Sequence, residues 1–153
     1  MRKTGFTLVE LIVVIVVVGI VALIAAPRFF SQPPFDASRF HEAALSAIRY
    51  GQKVAVAQRA NVFVVVSATS VALCYDMGCA TAVTLPAESV AFVVNAPNNI
   101  TLSGSSFSFT PLGQPASFAA SPVPLAANAT FGISGDGGAR QIVVEMETGY
   151  VHK

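Results

Sequence analysis

Lys3-Thr4-Gly5-Phe6-Thr7-Leu8-Val9-Glu10-Leu11 stands almost at the start of the chain, and the apolar run that begins in it continues to Ala26. Thr7, Glu10 and Gly19 are its non-apolar positions. As a helix, Phe6 to Ala26 rises roughly 31 Å, close to the ~30 Å hydrocarbon thickness of a bilayer. Arg2 and Lys3 precede the run, which puts the N-terminus in the cytoplasm and everything after Pro27 outside. A secretory signal has a shorter apolar region and an A-x-A-like cut site, whereas in Ala25-Ala26-Pro27 a proline follows directly. An uncleaved single-span anchor has the same composition. Glu10 is the anomaly, because an acid at mid-membrane costs roughly 2.5–3.5 kcal/mol on insertion scales.

The chain has 153 residues, enough for one modest domain plus an anchor. It is 54% hydrophobic and 11% charged, against about 25% charged in ordinary soluble domains. A net charge of +1 is too near neutrality to argue for nucleic acid, a membrane surface or an acidic substrate. Cys74 and Cys79 flank Tyr75-Asp76-Met77-Gly78. In an exported domain that spacing reads as a disulfide closing a tight turn, with two free thiols as the alternative. A structural metal needs about four ligands. His41 and His152 are the only histidines and neither lies at ligand spacing, so no metal and no cofactor is expected.

The stretch Lys3 to Leu11 closely resembles the type IV prepilin signal. The resemblance implies that a prepilin peptidase/N-methyltransferase cuts between Gly5 and Phe6 on the cytoplasmic side and methylates the new Phe6 amine. It also makes Pro27 a helix-bending proline. Glu10 then gains a role: cleavage creates an α-ammonium with a reference pKa of about 7.7–8.0, which a carboxylate can neutralise. Within one helix Glu10 lies on the face of Phe6. Between neighbours in a filament it would meet the next subunit's ammonium and set axial register. The alternative is that Glu10 snorkels to the headgroups from near the helix end.

Beyond the anchor, Pro33-Pro34 interrupts the helix, and Asp36 or Ser38 is placed to cap a second one. From Ala37 to about Arg59, one face carries Phe40, Ala44, Ala47, Ile48, Gly51, Val54 and Ala55, a stripe suited to packing on a sheet. Strands are expected over 61–67, 71–75, 79–85, 88–95 and 100–110, with turns at 76–78, 96–99 and 103–104. Residues 111–128 read as a proline-rich loop over the sheet. A hairpin follows, 130–134 and 140–146 about the turn Gly135-Asp136-Gly137-Gly138, and Thr148-Gly149 leads into Tyr150-Val151.

The fold class is therefore α+β. The order, a long hydrophobic helix and then a small antiparallel sheet domain, is similar to the pilin architecture. It divides the chain into a leader over 1–5, a filament-core helix over 6–30, an amphipathic helical stretch over 31–60 and a β-rich domain over 61–153. Ala47-Ile48-Arg49-Tyr50-Gly51-Gln52-Lys53-Val54-Ala55, Gly138-Ala139-Arg140-Gln141-Ile142-Val143-Val144-Glu145 and Thr148-Gly149-Tyr150-Val151 look like GspH/FimT-type pseudopilins and minor pilins; minor pilins of the mannose-sensitive haemagglutinin type are also similar. The tight cysteine pair departs from the longer C-terminal disulfide loop of major pilins, which favours a minor subunit. The implied partners are other pilin or pseudopilin subunits, the peptidase, an inner-membrane assembly platform and, before assembly, membrane lipid.

No enzyme is expected. No G-x-S-x-G elbow frames a Ser, His and Asp set, and no G-x-x-x-x-G-K-[ST] is present. Gly135-Asp136-Gly137-Gly138 offers one carboxylate where calcium takes six to eight oxygens. The alternatives are a DNA-binding minor pilin involved in DNA uptake, for which Arg140 and Lys153 are a thin basic footprint, and a membrane-tethered domain of unknown activity.

Overall fold

The computed structural model describes residues 7–30, 33–85, 90–135 and 138–153, without the side chains of residues 24–30 and 33–35. The chain divides into two compact units at Gln32/Pro33.

The first unit is helix α1, Leu8–Phe30. Thr7 caps it: its hydroxyl accepts the Glu10 N–H at 3.3 Å, and its carbonyl accepts the Leu11 N–H at 3.2 Å. Thr7-Leu8-Val9-Glu10 is thus a T-x-x-E start signal. Val and Ile fill nearly half of the helix although each lowers helix propensity by up to about 0.7 kcal/mol relative to Ala. Surroundings, not propensity, must hold such a helix. α1 runs through Pro27.

The second unit opens with helix α2, Pro33–Gln58. It starts earlier than a cap at Asp36 or Ser38 would allow. Proline fits the opening positions because the missing N–H would have no intrahelical partner there. Asp36 instead sits in the first turn, where a negative charge suits the helix dipole. At the other end Arg59 adopts φ 51°. The Ala60 N–H reaches the Ala55 carbonyl (3.2 Å) and the Arg59 N–H reaches that of Val56 (3.4 Å). This is a Schellman ending built on a residue with a Cβ. Arg59→Gly is expected to stabilise the unit by about 1 kcal/mol, a rise of roughly 3–5 °C in thermal midpoint by circular dichroism.

Two antiparallel sheets follow, where the sequence suggested one. The first contains β1 (Val62–Val66), β2 (Ser70–Cys74), β3 (Val93–Asn95), β5 (Phe107–Phe109) and β6 (Pro115–Ala116), in the order β3-β2-β1-β5-β6. The second contains β4 (Thr101–Ser103), β7 (Ala129–Ser134), β8 (Arg140–Val144) and β9 (Val151–His152), in the order β4-β7-β8-β9. The strand expected over 100–110 is divided between them: β4 pairs with β7, and β5 pairs with β1. The chain changes sheet at Gly104, whose φ is +146° and where a Cβ would come within 2.5 Å of the Phe131 ring. Between β2 and β3 the expected strands over 79–85 and 88–95 reduce to the bridges Cys74↔Ala82 and Thr84↔Ala91 and to β3 itself. Glu88 lies outside the described residues. The hairpin register runs from Ala129↔Val144 to Ile133↔Arg140; Asp136 and Gly137 of its turn also lie outside.

The expected stripe of α2 is buried, and Ala37, His41 and Leu45 join it. It faces Val62, Val64, Leu73, Phe107, Phe131, Ile133, Ile142 and Val144 within one core cluster. Phe107 joins the sheets, with ring centroids 5.0 Å from Phe109 and 5.4 Å from Phe131. The described core falls wholly between Ala37 and Val151, so the second unit carries its own apolar interior. Cys74 and Cys79 form the disulfide. Inside that loop Asp76 accepts the N–H groups of Ala80 (3.0 Å) and Thr81 (2.7 Å), and these bonds hold its carboxyl below the ordinary range.

Candidate assembly surface

The aliphatic side chains of α1 from Leu8 to Leu23 are all exposed, from 47% at Ile12 to 79% at Leu23. The apolar surface runs right round the helix, which therefore has no water-facing side. A helix apolar on every face is buried in its working state. The residues with described side chains, Leu8–Leu23, rise about 24 Å, short of the roughly 30 Å needed. No helix among the described residues is long and apolar enough to cross a membrane. The Phe6–Ala26 span expected from sequence includes positions outside that set.

Glu10 is exposed in the first turn of α1. Thr7 was not singled out in the sequence, although T-x-x-E before an apolar run is a readable signal. Gly5 and Phe6, the expected cleavage and methylation positions, lie outside the described residues. So does the side chain of Pro27.

On the second unit, the stretches singled out around Ala47–Ala55 and Thr148–Val151 meet. The Arg49 guanidinium donates twice to the Val151 carbonyl, at 3.0 and 2.7 Å. Gln52 Nε2 donates to the carbonyls of Gly113 (2.9 Å) and Thr148 (3.0 Å). One α2 face thereby ties the long loop to the closing strand. A second tie joins Glu145 Oε1 to His152 Nε2 at 2.8 Å, while Asn128 donates to Glu145 Oε2 at 3.0 Å and accepts the Met146 N–H. Nothing in the sequence marked Asn128 or His152, because the tie depends on pairing between β8 and β9.

The His152 hydrogen bond to Glu145 raises the histidine pKa above 6.5 and lowers that of Glu145 below 4.5. The signs fix a window. The histidine's contribution is full below about 6.5, its ordinary value, and is lost as pH rises through the folded value. The carboxylate's is present above about 4.5 and is lost as pH falls. The thermal-midpoint gap between wild type and His152→Gln is expected to be widest between about pH 4.5 and 6.5 and to close in alkali.

Arg140 and Lys153, the basic pair considered for DNA, are engaged locally. Arg140 Nη2 donates to Ser38 at 3.0 Å, and Lys153 pairs with Glu42, whose carboxyl this contact holds below its ordinary range. Among the described residues no group of three or more His, Cys, Asp or Glu is placed to hold a metal ion.

Residues 1–26 match the prokaryotic N-terminal methylation motif. The type IV narrow pilus major component PilA5 of Thermus thermophilus is 40% identical over 58 residues, which cover 38% of this chain and 50% of that protein. The match spans about half the length of that relative. The type IV minor pilin FimU of Pseudomonas aeruginosa has a similar fold in two crystal forms, at 15% identity and over 75% of this chain. The TM-scores are 0.51 and 0.50, with 90% and 87% of the respective FimU chains covered. The N-terminal motif, the matched stretch of the relative and the fold are each similar to those of type IV pilins. The chain's fold class is the α+β pilin fold, a hydrophobic N-terminal helix followed by antiparallel sheets.

Proposed function

We propose that the chain is a minor subunit of a type IV pilus or of a type II secretion pseudopilus. The observation that carries this reading is α1, apolar on every side between Leu8 and Leu23 and exposed in the single chain. A bundle of such helices, taken from neighbouring subunits, would cover that surface as lipid does before assembly. In this reading the helix anchors the chain in the inner membrane with the second unit outside, and extraction into a filament exchanges lipid for helix contacts. A peptidase cuts after Gly5, the Phe6 amine is methylated, and Glu10 neutralises the ammonium. Pro27 supplies a bend. The second unit faces outward and selects neighbours.

The test is processing. Gly5→Glu expressed with the cognate peptidase is expected to leave essentially all of the protein as a slower-migrating, membrane-retained precursor. Wild-type material should begin at a methylated Phe6 in intact-mass analysis. Native protein that retains its first five residues would reduce the chain to a tethered domain.

A further inference from the structure

His152 is engaged through both ring nitrogens. Nε2 meets Glu145 Oε1 at 2.8 Å, and Nδ1 meets the main-chain oxygen of Lys153 at 3.0 Å. An ionised carboxylate and a main-chain oxygen can only accept. A neutral imidazole has one N–H, so it satisfies one of these oxygens and turns a lone pair towards the other. The imidazolium donates to both. Geometry alone therefore selects the charged ring. Tyr150 stacks on it with centroids 5.5 Å apart, a placement that suits a cation.

The charged groups around the ring come from two elements. From β8 comes the Glu145 carboxylate, which Asn128 steadies at 3.0 Å. From α2 comes the Arg49 cation, which opposes the charge while its guanidinium donates to the Val151 carbonyl. Lys153 follows the ring, and its ammonium pairs with Glu42 of α2, a carboxylate that also meets His41 Nδ1 at 3.7 Å. Lys153 is thus held twice, by His152 through its main chain and by α2 through its side chain.

The geometry points to His152 as a proton-operated clasp, which fastens Lys153 against α2 when charged and releases it when neutral. On proton loss the remaining N–H stays with Glu145, because bonds to a charged acceptor are the stronger ones. Nδ1 then presents a lone pair to the Lys153 oxygen, and that contact becomes repulsive. The Lys153–Glu42 pair, 64% and 55% exposed, is of the weak surface kind and cannot hold the residue alone. Its release leaves Glu42 without its ammonium partner at the mouth of a polar cavity that Lys153 also lines. A proton lost at β9 is thereby read out as a change of charge on α2. The bond to Glu145 raises the histidine pKa, so the clasp is shut below about 6.5 and opens as pH rises through the higher folded value. In acid it weakens separately, as Glu42 and Glu145 protonate below their ordinary range.

Nuclear magnetic resonance of the full chain in detergent micelles tests this across about pH 5 to 9, with nitrogen-15 in the histidine rings and the backbone. At the acid end both ring nitrogens of His152 should carry protons and Lys153 should be ordered by its heteronuclear Overhauser effect. As pH rises, Nδ1 should lose its proton and Lys153 its order with one shared midpoint above 6.5. Glu145→Gln should lower that midpoint by about one pH unit for both signals. His152→Gln should leave Lys153 mobile throughout, and Glu42→Gln should free the lysine side chain without abolishing the ring titration. Unchanged α2 and β8 signals show that the variants stay folded; should one unfold, the wild-type titration alone decides. Lys153 order that ignores the ring titration, proton loss from Nε2 instead of Nδ1, or a midpoint at or below 6.5 would overturn the inference.

Discussion

Replacing Gly149 by alanine is expected to destabilise the second unit by about 3–5 kcal/mol and to lower its thermal midpoint by roughly 10 °C or more. Three costs combine. Gly149 holds φ +68°, in the left-handed region, which charges any residue with a Cβ about 1–2 kcal/mol. A methyl group there would overlap the Gly113 carbonyl oxygen and come within 2.6 Å of Gln52 Nε2. The same Gln52 nitrogen holds the Gly113 and Thr148 carbonyls, so relieving the overlap breaks hydrogen bonds worth about 1 kcal/mol each. Gly138→Ala is the control. Gly138 has φ +109°, but among the described residues nothing lies within 4 Å of an added Cβ, so no steric overlap adds to the conformational cost. Chemical denaturation of both variants should separate them by about 2 kcal/mol. Equal losses would mean that the contact at Gly113 yields without penalty.

The same turn illustrates how far the sequence could be followed. An unbroken apolar run marked α1, and periodicity marked the stripe of α2 and the hairpin of β7 and β8, because each is a local pattern extending over several residues. The division of residues 100–110 between two sheets was not legible. Ile100–Ser103 and Phe107–Phe109 have the same strand character, and the crossing at Gly104 is decided by the Phe131 ring, distant in sequence. The early start of α2 was hidden for a different reason: a proline pair disrupts a helix interior but fits its first turn, and the residues alone do not say which is present. At the candidate site Glu10 was visible as a charge in an apolar run, while its helix-start partner Thr7 was overlooked. Arg49, Gln52, Asn128 and His152 act through carbonyls and carboxylates up to 102 residues away, a separation at which composition carries no signal.

Glu10→Ala is expected to insert and be processed normally, yet to reach filaments at least a hundredfold less often than wild type, measured in the sheared-filament fraction. Breaking a buried ion pair by removing one partner costs about 3–5 kcal/mol, because the other charge is left without compensation. Here the stranded group would be the Phe6 ammonium in an apolar bundle. A smaller role competes for the same side chain, since Glu10 stands at the fourth position of the T-x-x-E start of α1 and its N–H is held by Thr7. An acid near a helix start contributes only about 0.3–1 kcal/mol, and losing the Thr7 cap costs about 1 kcal/mol. Glu10→Gln separates the two roles, because glutamine serves the capping box as glutamate does but carries no charge. On the register reading, Glu10→Gln fails as severely as Glu10→Ala, while Thr7→Ala costs severalfold at most. If Glu10→Gln enters filaments like wild type, the acid serves only to begin a helix, and register has to be set by other contacts of the subunit.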